Sequence, residues 1–449
     1  MYIDKIEITN IRAIEHFTMT FKQHAGWHVL IGDNGAGKST IIRSLALAML
    51  NVEDIFAARL DWNDWLKKGR EEGIITVGIV PNEKYESTKT DVINKITLGS
   101  SVNFDSSKEH ILVNVPPSLI EVIYRNKKTY TTMLPLIPDN IAQKILQYSK
   151  SITNDIGAVS QNSAWFSVAY GPFRRFSGGN SEKESLFQTN PKLGAHLTAF
   201  GEDVALTEAL AFIRELYIQK IDRKSSGKEL AGIERFVNNS NLLQPGVIIE
   251  KIDSTGVFFR DANGNTVPAT QLSDGYRSIL SLTFEMFHEM IRLFGEEEVF
   301  KNVSQGEMTI DVPGVVLIDE ADAHLHPTWQ TRIGQWFVEH FPNIQFIVTT
   351  HSPLICRACE KGSIWRLAAP GSDEESGEIT GVQRDRLIYG NVLEAYGTEA
   401  FGENVSQSQE GIDMGERLAH LNMRSFQGLL TENERTELFG LKAKLPTAG

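Results

Sequence analysis

The octapeptide Gly32-Asp33-Asn34-Gly35-Ala36-Gly37-Lys38-Ser39 limits what this chain can fold into more than any other feature. It fits the spacing G-x-x-x-x-G-K-[ST], with a short apolar run at 27–31 before it and a helix expected over 38–50 after it. Glycines let the backbone wrap an anion, so that successive N–H groups and the positive end of the following helix point at one phosphate cluster. Lys38 is the counter-charge for β- and γ-phosphates, and the Ser39 hydroxyl is a ligand for Mg²⁺. Gly32, Asp33, Asn34, Gly35, Ala36, Gly37 and Thr40 complete the stretch. An apolar strand that leads directly into such a turn is buried on both faces. The chain is therefore expected to be α/β with a parallel core sheet.

The surrounding sequence organises itself around that turn. Residues 2–9 alternate as a half-buried strand does, and 17–22 read as a second strand. Between 75 and 135, β-branched segments at 74–80, 91–98 and 110–115 alternate with polar turns and predict an antiparallel insertion. Residues 195–236 read as helical, interrupted at Lys224-Ser225-Ser226-Gly227. Strands return over 247–260, with Asn263-Gly264 as a hairpin turn. A helix is expected over 274–294, strands at 314–318, 344–349 and 363–367, and a helix from Pro327. The tail, 385–449, is helical and charged, and Thr431 and Glu434 form a capping box. These boundaries divide the chain into a lobe at 1–180, a helical insertion with the second half of the core at 181–384, and the tail.

Two carboxylates close the strand Val315-Val316-Leu317-Ile318-Asp319-Glu320. The C-terminal end of a buried parallel strand is where α/β sheets place ligands. Asp319 is the candidate metal-shell ligand, and Glu320 the candidate general base for an attacking water. Leu272-Ser273-Asp274-Gly275-Tyr276-Arg277 precedes a helix; alone it reads as a serine cap, but a helix N-terminus beside a glycine is also an anion site. Phe346-Ile347-Val348-Thr349-Thr350-His351 is a strand followed by a histidine, which by itself is more often structural.

Taken in order, these four motifs resemble those of ABC-type ATPases of the SMC/RecF/OLD group. Asn10-Ile11-Arg12 matches the opening pattern of that group, in which the arginine lies near the nucleotide. The resemblance implies an ATPase head with a parallel P-loop core, an antiparallel β subdomain, a helical lobe and a helical C-terminal tail. It implies ATP and Mg²⁺ as cofactors, a signature formed by Ser273, Asp274 and Gly275, a switch role for His351 and a D-loop role for Asp322, which crosses to a partner protomer. Gln161 is the candidate for the Q-loop metal ligand, because a strand-like segment at 165–170 follows it. A chain with one set of motifs cannot supply both faces of such a site, so a head-to-tail homodimer, or a larger homo-oligomer, is expected around ATP.

The remaining features narrow the output. No heptad run provides a coiled-coil arm. No Asp-x-Asp follows His351, which argues against a built-in Toprim nuclease. The chain is similar to RecF-like ATPases of bacterial anti-phage operons, such as the Septu ATPase subunit, which partners an HNH nuclease. A separate nuclease effector is thus expected, with a stand-alone RecF-type DNA-repair ATPase as the alternative. The formal net charge is −13, from 44 Lys+Arg against 57 Asp+Glu, so DNA contact would need a local basic patch. Candidates are Lys67-Lys68-Gly69-Arg70, Arg125-Asn126-Lys127-Lys128 and Arg174-Arg175. Cys356 and Cys359 lack the further ligands that zinc needs and read as packing residues. His324 and His326 read as D-loop residues, with Pro327 opening the next helix. Two cysteines and no long apolar run point to a cytoplasmic chain without a membrane span.

Overall fold

The computed structural model describes residues 1–50, 52–58, 65–70, 72–82, 92–99, 118–124, 129–134, 165–172, 189–201, 207–372, 374–396 and 409–445. In chain order the strands are β1 (Tyr2–Ile11), β2 (Ile14–Thr20), β3 (Gly26–Ile31), β4 (Glu72–Val80), β5 (Val92–Gly99), β6 (Ser118–Tyr124), β7 (Thr129–Leu134), β8 (Phe166–Tyr170), β9 (Ile248–Asp253), β10 (Gly256–Arg260), β11 (Thr266–Pro268), β12 (Gly314–Ile318), β13 (Ile344–Thr349), β14 (Gly362–Arg366) and β15 (Gly377–Ile379).

The core sheet has the order β15-β14-β3-β13-β12-β8. All its pairings are parallel except β14 with β15. Every residue of β3, β12 and β13 is buried. Successive side chains of a strand face opposite sides, so a strand buried on both faces feeds two cores. Val29, Val316 and Phe346 belong to one apolar cluster, and Leu30, Val315 and Ile347 to the other. The helix Lys38–Ala48 covers the second face through Ile41, Ile42 and Leu45. The helices Asp274–Phe294 and Pro327–His340 cover the first. Trp27, at the start of β3, lies among aromatic rings there, 5.3 Å from Phe346 and 6.1 Å from Phe337 between centroids.

The antiparallel insertion forms a second sheet, β2-β1-β4-β5-β6-β7. β1 keeps its alternation because only one face meets the core: Ile6 and Ile8 are buried while Lys5 and Glu7 form a surface pair. The 110–115 segment lies outside the described residues. The third sheet, β11-β10-β9, turns between β10 and β11 through Asn263-Gly264, where Gly264 has φ 85°. The helical stretch divides into Pro191–Phe200, Thr207–Ile221 and Lys228–Asn239, with the last break at Gly227. In the tail, Gln409–Phe426 and Glu432–Lys444 pair through Arg417 and Glu437, 2.8 Å apart. The Thr431–Glu434 capping box is formed.

The core sheet draws β3 and β8 from residues 1–180 and β12 to β15 from 181–384, so the two segments share one sheet. Among the described residues, no helix is long and apolar enough to cross a membrane.

Candidate functional site

The site assembles where three parallel strands end side by side. β3 leads into the phosphate loop, β12 into Asp319 and Glu320, and β13 into Thr349, Thr350 and His351. Register fixes this alignment: Ile318 lies opposite Val348, and Thr349 opposite Leu30.

Gly37 sits at the N-cap of Lys38–Ala48 with φ 99°, and a Cβ there would meet Ile14 Cγ1 at 2.8 Å. Glycine is therefore required both by conformation and by space. Lys38 is 6% exposed, and its ammonium donates to the carbonyls of Gly32 at 2.7 Å and Asp33 at 3.0 Å. Burial lowers its pKa, while Asp319, Glu320, Asp33 and Asp322 act against that shift. The phosphate-loop lysine therefore sits in the field of its own loop's Asp33 and of the carboxylates that follow β12. Ser39 is half-buried beside it, and Thr40 is buried.

Thr349 organises the two acids. Its hydroxyl donates to Asp319 Oδ1 at 2.6 Å and accepts from the Glu320 backbone N–H at 2.7 Å. Its carbonyl accepts from Ala321 N at 2.8 Å, and Asp319 N donates to the Tyr170 carbonyl at 2.8 Å. Glu320 has φ 49°, a left-handed conformation that costs a non-glycine residue about 1–2 kcal/mol. The Thr349 contacts hold the turn that this conformation creates. Thr349 stood in the quoted strand without a role of its own, and its signal was a hydroxyl at the end of an otherwise apolar strand.

Asp322 accepts from Thr350 Oγ1 at 2.5 Å and from the His351 backbone N–H at 3.2 Å. The turn after β12 is thus tied to the loop that carries His351, whose side chain is exposed. His326 caps Pro327–His340, its ring accepting from Thr328 N, and His324 has φ 63°. Both histidines shape this turn.

Ser273 occupies the N-cap of Asp274–Phe294, but its exposed hydroxyl makes no side-chain cap bond. The serine-cap reading therefore holds for position and not for bonding. Asp274 pairs with Arg277 in the first turn. A Cβ on Gly275 would come within 3.2 Å of the His324 carbonyl, so the turn that opens this helix abuts the Asp322 turn of the same chain.

Arg12, at φ 48°, stacks its guanidinium over Trp65 at 5.1 Å, and its backbone N–H donates to the Trp65 carbonyl at 2.8 Å. Ile14, two residues on, is the neighbour of Gly37 described above, so the β1–β2 turn borders the phosphate loop. Trp65 had no signal in the sequence, because its pairing with Arg12 spans a segment without periodicity.

Gln161 lies outside the described residues. β8 runs parallel to β12 with Tyr170 opposite Ile318, so the residue that follows β8 at the Asp319 end is Gly171. Cys356 and Cys359 are fully buried in the 3₁₀ segment Pro353–Lys361, and burial pushes both thiols up, which suits packing. Of the basic clusters, Lys67 and Arg70 both pair with Glu15, which reduces the local positive charge. Arg125-Asn126-Lys127-Lys128 and Arg174-Arg175 lie outside the described residues.

A glycine turn with a buried lysine after β3, a threonine–histidine loop at the end of the adjacent β13, two carboxylates at the end of β12 beyond it and a separate helix opening at Asp274 form the site of a P-loop ATPase. Comparison with known proteins agrees: residues 1–111 match the family described as "AAA ATPase domain", and 174–357 match "AAA domain, putative AbiEii toxin, Type IV TA system". The chain is 26% identical to Septu protein PtuA of Bacillus mycoides (strain KBAB4) over 368 residues, covering 81% of this chain and 40% of that protein. It is 23% identical to the Retron Ec83 probable ATPase of Escherichia coli, covering 81% of this chain and 70% of that one. It is also 23% identical to the Retron Vc95 probable ATPase of Vibrio cholerae serotype O1 biovar El Tor, covering 73% and 66%. The matched region is thus less than half the length of the Septu relative. Among solved structures, an Smc head bound to the C-terminal winged-helix domain of ScpA is similar at 15% identity with a TM-score of 0.44, covering 84% of this chain and 97% of that one.

Proposed function

We propose that two copies of this chain pair head to tail around ATP and use its binding and hydrolysis to control a separate effector, a nuclease, in anti-phage defence. The observation that carries the pairing is Ser273. Its hydroxyl is exposed at a helix N-terminus and unused by its own helix, while Lys38, Asp319 and Glu320 share one locus at the sheet edge. In this reading Lys38 and the loop N–H groups hold the β- and γ-phosphates, and Arg12 borders the nucleotide. Ser273 and Gly275 of the partner copy close over the γ-phosphate, meeting the charge that develops in transfer with a second helix N-terminus.

Ser39 and Asp319 are the oxygen donors suited to hold Mg²⁺, a hard cation, and the buried Asp319 beside the Lys38 ammonium fits that role. Bound there, the ion would neutralise phosphate charge. Glu320 orients the attacking water and accepts its proton, and His351 contacts the γ-phosphate from the switch loop. The similarity to Septu and retron proteins supports the defence role, for which a cytoplasmic setting is part of the same proposal.

The pairing is tested by the mass of Glu320→Gln in dilute solution with ATP and Mg²⁺. A dimer or larger species is expected, and a monomer sinks the composite site. ATP turnover measured with DNA and without any partner tests the effector: strong stimulation by DNA alone favours the repair-type alternative.

A further inference from the structure

Gln330, on the first turns of Pro327–His340, bridges two loops. Its amide nitrogen donates to the carbonyls of Leu325 at 2.9 Å and Asp322 at 3.4 Å. Its amide oxygen accepts from Ser352 Oγ at 2.7 Å. Carbonyl oxygens only accept, so this orientation of the amide is imposed and Ser352 must be the donor. Ser352 Oγ in turn accepts from Leu354 N at 3.3 Å, and its backbone N–H donates to Thr350 Oγ1 at 2.9 Å. Thr350 donates to Asp322 Oδ1, as described above. The contacts close a ring: Asp322 carboxylate, Thr350, Ser352, Gln330, Asp322 carbonyl. His351 lies between two ring members and donates its own N–H to the Asp322 carboxylate.

The ring does more than cap a helix, because that cap is already made by His326. Thr350 and Ser352 are 0% and 4% exposed, so displacing one bond leaves polar atoms without water. A shift of the Asp322 turn must therefore carry the backbone on both sides of His351 with it.

We propose that Gln330 is a positioning residue that couples the Asp322 turn, against which the signature Gly275 packs, to the placement of His351. The coupling rests on the composite-site reading for its role in turnover, since a partner seated on the Asp322 turn would then set the switch histidine of the chain it docks on.

The test uses the full chain with Gln330→Leu, which removes all three bonds, and Gln330→Glu, which keeps the acceptor for Ser352 but sets a carboxylate against two carbonyls. Ser352→Ala, a smaller lesion of the same ring, guards against misfolding. Expected is a fall in kcat of about tenfold or more at a nearly unchanged KM for ATP, as for loss of a contact behind a site residue. Hydrogen exchange in the absence of nucleotide should quicken together in 319–326 and 346–352 and stay unchanged in 32–39. Quickening confined to one of the two segments, or a kcat within about twofold of wild type in both Gln330 variants, overturns the coupling. If exchange quickens in both segments while Glu320→Gln stays monomeric with ATP, the intrachain ring stands and the composite reading falls.

Discussion

Lys38 follows β3 and Glu320 follows β12, with β13 between them, and their substitutions should fail differently. Lys38→Ala removes a charged donor and should weaken ATP binding by roughly ten- to a hundredfold, measured with a fluorescent ATP analogue. Glu320→Gln keeps shape and should leave affinity close to wild type while kcat falls about 10²- to 10⁴-fold, the range for a general base. Thr349 lies behind both acids, bonded to Asp319 Oδ1 and to Glu320 N. Thr349→Val keeps the volume and loses both bonds, so kcat should drop about 10- to 100-fold and the Mg²⁺ concentration for half-maximal turnover should rise. An unchanged Mg²⁺ dependence would separate Thr349 from the metal.

At the level of elements, two buried histidines set an acid limit. His28 on β3 donates from Nε2 to the His24 carbonyl at 2.9 Å, and burial lowers its pKa to about 4. His196, in the helix Pro191–Phe200, donates from Nδ1 to the Lys192 carbonyl at 2.8 Å, and burial lowers its pKa to about 3. Both are depressed below the ordinary value of 6.5, so the unfolded chain binds more protons than the folded one between the two values. Stability therefore rises with pH through that window and falls on acidification. From pH 7 to pH 5 each histidine should cost about 2 kcal/mol, and His196→Gln should lose correspondingly less than wild type in denaturant titrations at the two pH values. The tail hairpin obeys a local rule instead. Thr431→Ala deletes the capping box and should cost about 1 kcal/mol, seen as faster exchange over 432–444 with ATP turnover unchanged.

For the whole molecule, the composite site predicts complementation. Lys38→Ala and Ser273→Arg chains should each be inactive alone. Mixed one to one, half of the pairs hold one chain of each kind, and each such pair has one intact site. Recovery of roughly a quarter of wild-type turnover is expected for a symmetric two-site pair. No recovery on mixing, with both variants folded, would place Ser273 and Lys38 of one chain in the same site.

Much of this was written into the sequence by local rules. The phosphate loop, the strand ending in Asp319 and Glu320, the helix opening at Asp274 and the capping box at Thr431 each depend on residues within one element, where periodicity, glycine and cap chemistry act directly. The expectation of an antiparallel insertion followed from the same alternation. The partners that cross the fold were not legible. Thr349 reaches Asp319 only because β12 and β13 pair in parallel register, Trp65 meets Arg12 across a segment without pattern, and Gln330 meets Ser352 because a helix and a 3₁₀ segment pack together. The sequence by itself determined the chemistry available at the ends of the strands, since that chemistry sits on contiguous residues. Which hydroxyl, ring or amide holds each group in place was decided only by tertiary structure, because hydrogen bonds and packing join atoms that the chain keeps tens to hundreds of residues apart.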